Sequence, residues 1–284
     1  MLTLALVTAV FGYSQNTTAF HLDETYTLKN NGTIYLSLHD AGVSIMGENR
    51  NDVAVKIDYE VTTKGIEWGS REFNIEVTNQ DGDLHIQEYR KSNKGLVGYS
   101  SSHYKVVIKA PYASNWAIKG DDDNYTINTI KGSIRIVADD AEAVLENCGG
   151  DSFYFDLDDG SITMDRATGQ LTARMDDGKL TIANATLETI DYRSDDGEVS
   201  LQTTVGPNAM FKFIGDDTDY DIVVTRGGGT FTIKHDDGRI DYDSNFRLMD
   251  KEENRLVLSL TGGRGKVIIS GDDIKVNLAA KEAR

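Results

Sequence analysis

A pair of acidic residues recurs along the second half of the chain at a nearly constant spacing. The first acids of nine pairs stand at positions 121, 139, 158, 176, 195, 216, 236, 252 and 272. The steps between successive pairs, obtained by subtraction, are 18, 19, 18, 19, 21, 20, 16 and 20. A period of about 20 residues is typical of repeat folds, in which each unit buries its apolar face only against its neighbours.

Four of the pairs are followed by glycine, and each Asp-Asp-Gly unit leads into alternating apolar residues. These units predict turns, because Asp accepts hydrogen bonds from nearby backbone N–H groups and Gly tolerates positive φ. The expected turn-forming residues are Asp158, Asp159, Gly160, Asp176, Asp177, Gly178, Asp195, Asp196, Gly197, Asp236, Asp237 and Gly238. We predict positive φ at all four glycines.

Each period also contains a second alternating segment about halfway round, such as Phe153 with Phe155. A unit of turn, strand, turn and strand predicts an all-β fold. The specific expectation is a single-stranded parallel β-solenoid with two strands per coil and about 18–21 residues in each. Alternation places every second side chain in the core. The expected inward residues are Phe153, Ile162, Leu171, Leu180, Val199, Phe213 and Phe231.

Three parts of the chain differ in pattern. Residues 1–15 contain a short apolar run, too short to span a bilayer but typical of a signal peptide. Residues 16–118 are rich in strand patterns without the acidic phase, which predicts an irregular N-terminal β cap or first part of the solenoid. Residues 119–280 form the regular repeats, and no transmembrane segment is predicted.

The charge of the chain restricts its partners. A net charge of −17 argues against binding to nucleic acid and against docking on anionic lipid. Cys148 is the single cysteine, so no intramolecular disulfide or multi-cysteine metal site can form. We expect this thiol to be buried and unreactive.

The acidic pairs could in principle perform acid–base chemistry or hold calcium. A feature that every repeat shares is better explained by architecture, so we predict no catalytic, cofactor-binding or metal-binding residue. Calcium requires six to eight oxygens at nearly fixed distances, which turns of uneven spacing supply poorly. We therefore expect at most weak calcium binding and predict that folding does not require calcium.

One segment of the N-terminal part combines Tyr, Ser and Gly with several basic residues. Tyr, Ser and Gly are typical of adaptable binding loops, and a mobile hairpin tip is the alternative interpretation. The candidate partner-binding loop consists of Tyr89, Arg90, Lys91, Lys94, Tyr99 and His103.

A family resemblance rests on the strand ending in Lys109-Ala110-Pro111, the segment from Trp116 to Gly120, and the repeated Gly-x-apolar-x-apolar and Asp-Asp-Gly units. Together they resemble the bacterial β-strand-repeat "putative adhesin" family of unknown function, from about residue 30 to residue 278. The resemblance implies an exported β-solenoid. It carries over no catalytic residue.

Two functional hypotheses follow. The first is a noncatalytic exported protein with an adhesion or scaffolding role at the bacterial cell envelope or surface, in the periplasm or outside the cell. Its partner would be an unknown envelope protein or a glycan. The alternative is a carbohydrate-active β-helix enzyme, either a polysaccharide lyase or a glycoside hydrolase, because such enzymes use Asp and Arg on one sheet face.

Overall fold

The computed structural model describes residues 14–281, and every regular element within them is a β-strand. The first nine strands are β1 (Ser14–Thr27), β2 (Thr33–Ser37), β3 (Gly42–Glu48), β4 (Asp52–Trp68), β5 (Arg71–Gln80), β6 (Asp83–Ser92), β7 (Gly95–Pro111), β8 (Asn115–Lys119) and β9 (Asp123–Asn128). The remaining strands are β10 (Ile134–Glu146), β11 (Phe153–Asp165), β12 (Thr168–Val205), β13 (Met210–Gly227), β14 (Gly229–Tyr242), β15 (Phe246–Glu252), β16 (Arg255–Leu260) and β17 (Gly265–Ala280). The all-β prediction is confirmed.

The predicted signal peptide lies outside the described residues, except for Ser14 and Gln15 at the start of β1. Within residues 14–281 there is no helix long and apolar enough to cross a membrane. The predicted division of the chain at residue 118 stays a prediction. Strands on both sides of this position belong to one connected hydrogen-bonded sheet.

The acidic period matches the register of parallel strands. Ile134 of β10 pairs with Phe153 of β11, and Phe153 pairs with Leu171 of β12. The residue numbers of these partners differ by the same amounts as those of the local acidic pairs, so Asp159 pairs with Asp177. Parallel pairing thus brings the acids of successive repeats into rows.

The core is formed by two segments of each repeat. Phe153, Phe155 and Leu157 are buried at odd positions, whereas Ile162 and Met164 are buried at even positions. The parity changes at the Asp-Asp-Gly unit between them, so both segments direct their apolar side chains into one core. All seven predicted inward residues are at most 1% exposed, which confirms the predicted register.

The prediction of positive φ holds for only two of the four glycines. Gly160 and Gly238 have φ of 124° and 134°, but Gly178 and Gly197 do not have positive φ. All four glycines lie within continuous strands, namely β11, β12 and β14, so strand continuity does not separate the two groups. A Cβ on Gly178 would lie 2.3 Å from Met175 Cε and one on Gly197 would lie 2.6 Å from Ser194 Oγ, so an added side chain at either position would require these side chains to move.

The order of the repeats at the C-terminal end differs from their order in the sequence. Phe211 of β13 pairs with Val267 of β17, and Phe231 of β14 pairs with the other side of Val267. The final strand is therefore inserted between two earlier ones. Equal spacing predicts that repeats pair, but it cannot identify which repeats become neighbours.

The acidic pair at 252 does not begin a parallel coil. Glu252 ends β15 and pairs with Arg255 at the start of β16, and the two strands form an antiparallel hairpin. β16 continues antiparallel along β14. This corrects the expectation of nine equivalent repeats.

An inserted coil also occurs near the N-terminus. β2 pairs in parallel with both β6 and β8, and β3 pairs in parallel with both β7 and β9. Beyond them, β4 pairs antiparallel with β7 and β1, and β5 pairs antiparallel with β6. The expectation of a purely parallel sheet is therefore wrong: the sheet is mixed, with antiparallel strands at both ends of its parallel part. Exposed parallel edges would offer unpaired backbone groups, which these strands cover.

Candidate binding groove

One row of outward side chains runs across five neighbouring strands, in the order β6, β2, β8, β10 and β11. Tyr35 of β2 has His85 of β6 on one side and Ala117 of β8 on the other. Ala117 in turn pairs with Arg135 of β10, which pairs with Tyr154 of β11. The mixed strand order therefore collects an aromatic and cationic row from distant parts of the sequence.

Tyr35 and His85 form the first wall of the row. Ile34 and Leu36 are buried on either side of Tyr35, so strand alternation directs the tyrosine outward. Its ring stacks on the His85 ring with centroids 4.4 Å apart and an interplanar angle of 8°. The Tyr35 side chain remains 41% exposed, so the stacked pair offers a flat aromatic surface to solvent.

Arg135 and Tyr154 form the second wall. The Arg135 guanidinium carbon lies 3.9 Å from the Tyr154 ring centroid, within the range of a cation–π contact. The Tyr154 hydroxyl donates a hydrogen bond of 2.9 Å to Asp156 Oδ2 and accepts one of 3.3 Å from Arg174. These contacts hold the Tyr154 ring, and the ring supports Arg135.

A cleft lies between the two walls. Ala117 has the smallest side chain in the row, so it forms the floor between Tyr35 and Arg135. The cleft has a volume of about 590 Å³, and Lys119 and Val137 line it toward the acidic end of the strands. In the part of the chain that the structure describes, neither Lys119 nor Arg135 forms a side-chain hydrogen bond or ion pair with the protein.

The candidate partner-binding loop is not a loop in the structure. Its residues lie in β6, which pairs with β5, in β7, which pairs with β4, or in the two-residue connection between β6 and β7. Tyr89 and Tyr99 are 49% and 65% exposed and remain available for contact. Lys91 and His103 are also exposed. A partner-binding role for the set stays a prediction.

Two basic residues of that set are committed to contacts within the protein. Arg90 Nε lies 2.7 Å from Glu88, whose side chain is fully buried, and Arg90 Nη1 lies 2.7 Å from Asp40. Lys94 pairs with Glu67 at 3.2 Å. Hydrogen bonds from Thr63, Asn16 and Lys94 lower the pKa of Glu67 to about 2. The Arg90 contacts link β6 to the connection between β2 and β3, and the Lys94 contact links the connection between β6 and β7 to β4.

The acidic row shows the electrostatic repulsion that stacking implies. Partial desolvation and the neighbouring Asp139 and Asp176 raise the pKa of Asp158. The charges of Asp216 and Asp236 raise the pKa of Asp272. Asp272 is thus flanked by the acids of β13 and β14, as the inserted position of β17 requires.

Asp123 departs from the other acids of the row because it is buried. Its carboxylate accepts hydrogen bonds from the Ala41 backbone N–H at 2.7 Å and from the Tyr125 hydroxyl at 3.0 Å. It therefore joins the inserted β2–β3 coil to the next one. In residues 14–281 no group of three or more His, Cys, Asp or Glu side chains has the arrangement of a metal site.

Cys148 is 1% exposed, as expected from the sequence. Its Sγ lies 3.4 Å from the Glu146 carbonyl oxygen, and burial raises the pKa of the thiol. The protonated form is a poor nucleophile, so this environment favours an unreactive thiol.

Sequence reasoning missed the residues of the groove. Arg135 and Tyr154 are register partners separated by one local repeat step, so their contact has a signal in the sequence. Tyr35 and His85 have none, because their contact depends on the insertion of β2 between β6 and β8.

Comparisons with known proteins bear on the fold. No protein-family model and no curated protein matches the chain. A "putative adhesin" of Parabacteroides distasonis with a solved structure is 11% identical with a TM-score of 0.50, covering 94% of this chain and 97% of its own. One of Parabacteroides merdae is 11% identical with a TM-score of 0.42, covering 94% and 96%. A "putative cell adhesion protein" of Clostridium sporogenes is 12% identical with a TM-score of 0.25, covering 92% and 100%. The chain thus resembles bacterial proteins described as putative adhesins.

Proposed function

We propose that this protein is a noncatalytic, exported β-solenoid with an adhesion or scaffolding role at the bacterial cell envelope or surface. The observation that carries the proposal is the groove between Tyr35 and Arg135, with aromatic and cationic side chains exposed on a regular strand scaffold. Concave sites with flat aromatic walls and a few polar groups suit ligand binding. The adhesin-like names of the structural neighbours agree with such a role.

The solenoid interpretation is supported by the parallel part of the sheet. Successive strands from β10 to β13 pair in parallel, each offset from the last by one repeat step, and each repeat buries two apolar segments. The antiparallel strands at its ends would then act as caps. A scaffold of this kind is extended along the stacking direction and can present one binding surface over several coils.

Adhesion is tested by binding of the purified protein to intact bacterial cells and to their envelope fractions. We expect saturable binding that Tyr35→Ala weakens, because the flat wall of the groove is lost. Tyr242→Ala is the matched control, since Tyr242 is also an exposed tyrosine but lies at the end of β14. Equal binding by wild type and Tyr35→Ala would contradict a role of the groove, and absence of binding would contradict the proposed function.

The enzyme alternative is tested with the same preparation. Purified protein is incubated with a panel of neutral and acidic polysaccharides, and new reducing ends and unsaturated products are measured. We expect no turnover above that of a heat-inactivated sample. Sustained turnover would replace the adhesion proposal by a carbohydrate-active enzyme.

We also propose that calcium binds weakly at most and is not needed for folding. Thermal unfolding is compared in chelator, in millimolar calcium, and in a monovalent salt of matched ionic strength. We expect cooperative unfolding in all three, with a part of any calcium effect reproduced by salt through screening. If the protein folds only in the presence of calcium, the proposal is wrong and the acidic row binds calcium as part of the folded structure.

A further inference from the structure

We propose that the groove binds an acidic sugar unit of a glycan, with the sugar ring against Tyr35 and its anionic group held by Arg135 and Lys119. The inference rests on the proposed adhesion function and names the ligand class of the same site. The anionic group is a carboxylate or a sulfate ester, each of which carries a single negative charge.

The shape of the groove fits a single ring. Neighbouring strands lie about 4.8 Å apart, so Tyr35 and Arg135 stand about 10 Å apart on either side of Ala117. The small Ala117 side chain leaves that interval open. A sugar ring presents an apolar C–H face, which packs well against a flat aromatic ring such as Tyr35.

The unpaired charges in the groove favour an anion. Ionised donors and acceptors form the strong hydrogen bonds of such sites. The face of the Arg135 guanidinium rests on Tyr154, which leaves N–H donors at its edge free for a ligand. Lys119 is exposed and lines the same cleft. In a chain with a net charge of −17, two neighbouring cations without a carboxylate partner form a local site of opposite sign.

The acidic side chains around the groove limit how many charged units the bound glycan can carry. Lys119 lies two residues before Asp121, and Val137 lies two residues before Asp139, so the acidic row runs along one end of the groove. A uniformly charged polyanion would be repelled by this row. An acidic unit between neutral sugars places its charge beside Arg135 and avoids the row.

The test uses isothermal titration calorimetry with three probes of equal size. They are a trisaccharide with one central galacturonic acid between two galactose units, the methyl ester of the same trisaccharide, and a galactose trisaccharide sulfated on its central unit. We expect an acidic probe to bind at least tenfold more tightly than the neutral ester. We also expect the preference to weaken with added salt.

Variants separate the contribution of charge from that of stacking. Arg135→Gln should reduce binding of the acidic probe about tenfold and leave binding of the ester unchanged. Tyr35→Ala should weaken both, whereas Tyr35→Phe should retain both because the ring remains. Lys105→Ala is the control, since Lys105 is an exposed lysine on β7, and β7 contributes no residue to the groove. Circular dichroism and unfolding midpoints establish that each variant is folded.

The outcomes distinguish this inference from the function on which it rests. Equal binding of acid and ester, or no binding of any probe, overturns the acidic-sugar assignment, while binding to cells would still support adhesion. The competing occupant is an acidic segment of a second copy of the chain. Dimerisation that Arg135→Gln abolishes, measured by light scattering, would also overturn the assignment.

Discussion

The Tyr35 ring stacks on the His85 ring at 4.4 Å, although β3, β4 and β5 separate their strands in the chain. The contact exists because β2 lies between β6 and β8. The same kind of insertion places β17 between β13 and β14 at the other end. Strand order at the two ends thus determines which side chains become neighbours.

The inserted position of β17 can be tested by disulfide formation. Lys212 of β13 and Ile268 of β17 are register partners, and Ile268 is also the partner of Thr232 of β14. The double variant Lys212→Cys/Ile268→Cys should form a disulfide under mild oxidation, because adjacent strands place the Cα atoms about 5 Å apart. Lys212→Cys/Thr232→Cys should not, because β17 separates them by about 10 Å. Disulfide formation is measured by non-reducing electrophoresis and mass spectrometry. A disulfide only in the Lys212→Cys/Thr232→Cys variant would show that β13 pairs directly with β14, as the order of the strands in the sequence suggests.

Truncation of a core aromatic residue tests the strand register. Phe231 is fully buried, and its ring packs against that of Phe246 with centroids 5.1 Å apart. Phe231→Ala should lower the free energy of unfolding by about 3–5 kcal/mol, because it removes buried apolar surface and leaves a cavity. Urea unfolding measures the change, and the neighbouring outward Thr232→Ala serves as control. A loss below about 1 kcal/mol would contradict the register.

Arg90 is expected to stabilise the folded protein through its contact with the buried Glu88 carboxylate. Arg90→Ala would leave the carboxylate of Glu88 buried without its ionic partner, which typically costs about 3–5 kcal/mol. Lys91→Ala removes an exposed charge from the adjacent position and should change stability very little. Unfolding in urea compares the two variants. Equal stabilities of Arg90→Ala and Lys91→Ala would show that the pair contributes nothing.

Repulsion in the acidic row should make stability depend on pH. The neighbouring carboxylates raise the pKa of Asp272 in the folded protein above its ordinary value of 3.8. The folded state therefore holds this proton more tightly than the unfolded chain, and the charged form lowers stability at neutral pH. Asp272→Asn should raise Tm at pH 7. The gain should decline as pH falls through the raised pKa and disappear below 3.8.

Asp83 provides a control of opposite sign. The hydrogen bond from Lys29 and that from the Thr33 backbone N–H lower its pKa, so its charge stabilises the folded state above pH 3.8. Asp83→Asn should therefore lower Tm at pH 7, with the loss vanishing as pH falls through the lowered pKa. Scanning calorimetry across this pH range measures both variants. Shifts of the same sign at pH 7 would contradict the assigned electrostatics.

The sequence by itself determined the β class, the repeat and the core positions. Phe153, Leu180 and Phe231 could be placed inward because strand alternation is a local property, and one buried face requires apolar residues at every second position. The acidic pairs recur at a regular spacing because strands that pair in parallel place equivalent residues of successive repeats side by side. Arg135 and Tyr154 were within reach of the same reasoning, since one repeat step separates them.

The tertiary structure alone decided the order of strands and therefore the groove. A nearly constant repeat spacing is compatible with any repeat as a neighbour, so it could not show that Phe211 pairs with Val267. It also could not show that Tyr35 meets His85. Such contacts depend on which coil docks against which, and that choice is made by long-range hydrogen bonding and packing between whole segments. The glycines divide in the same way: positive φ at Gly160 agrees with the expectation from the Asp-Asp-Gly unit, whereas the same unit at Gly178 has no positive φ.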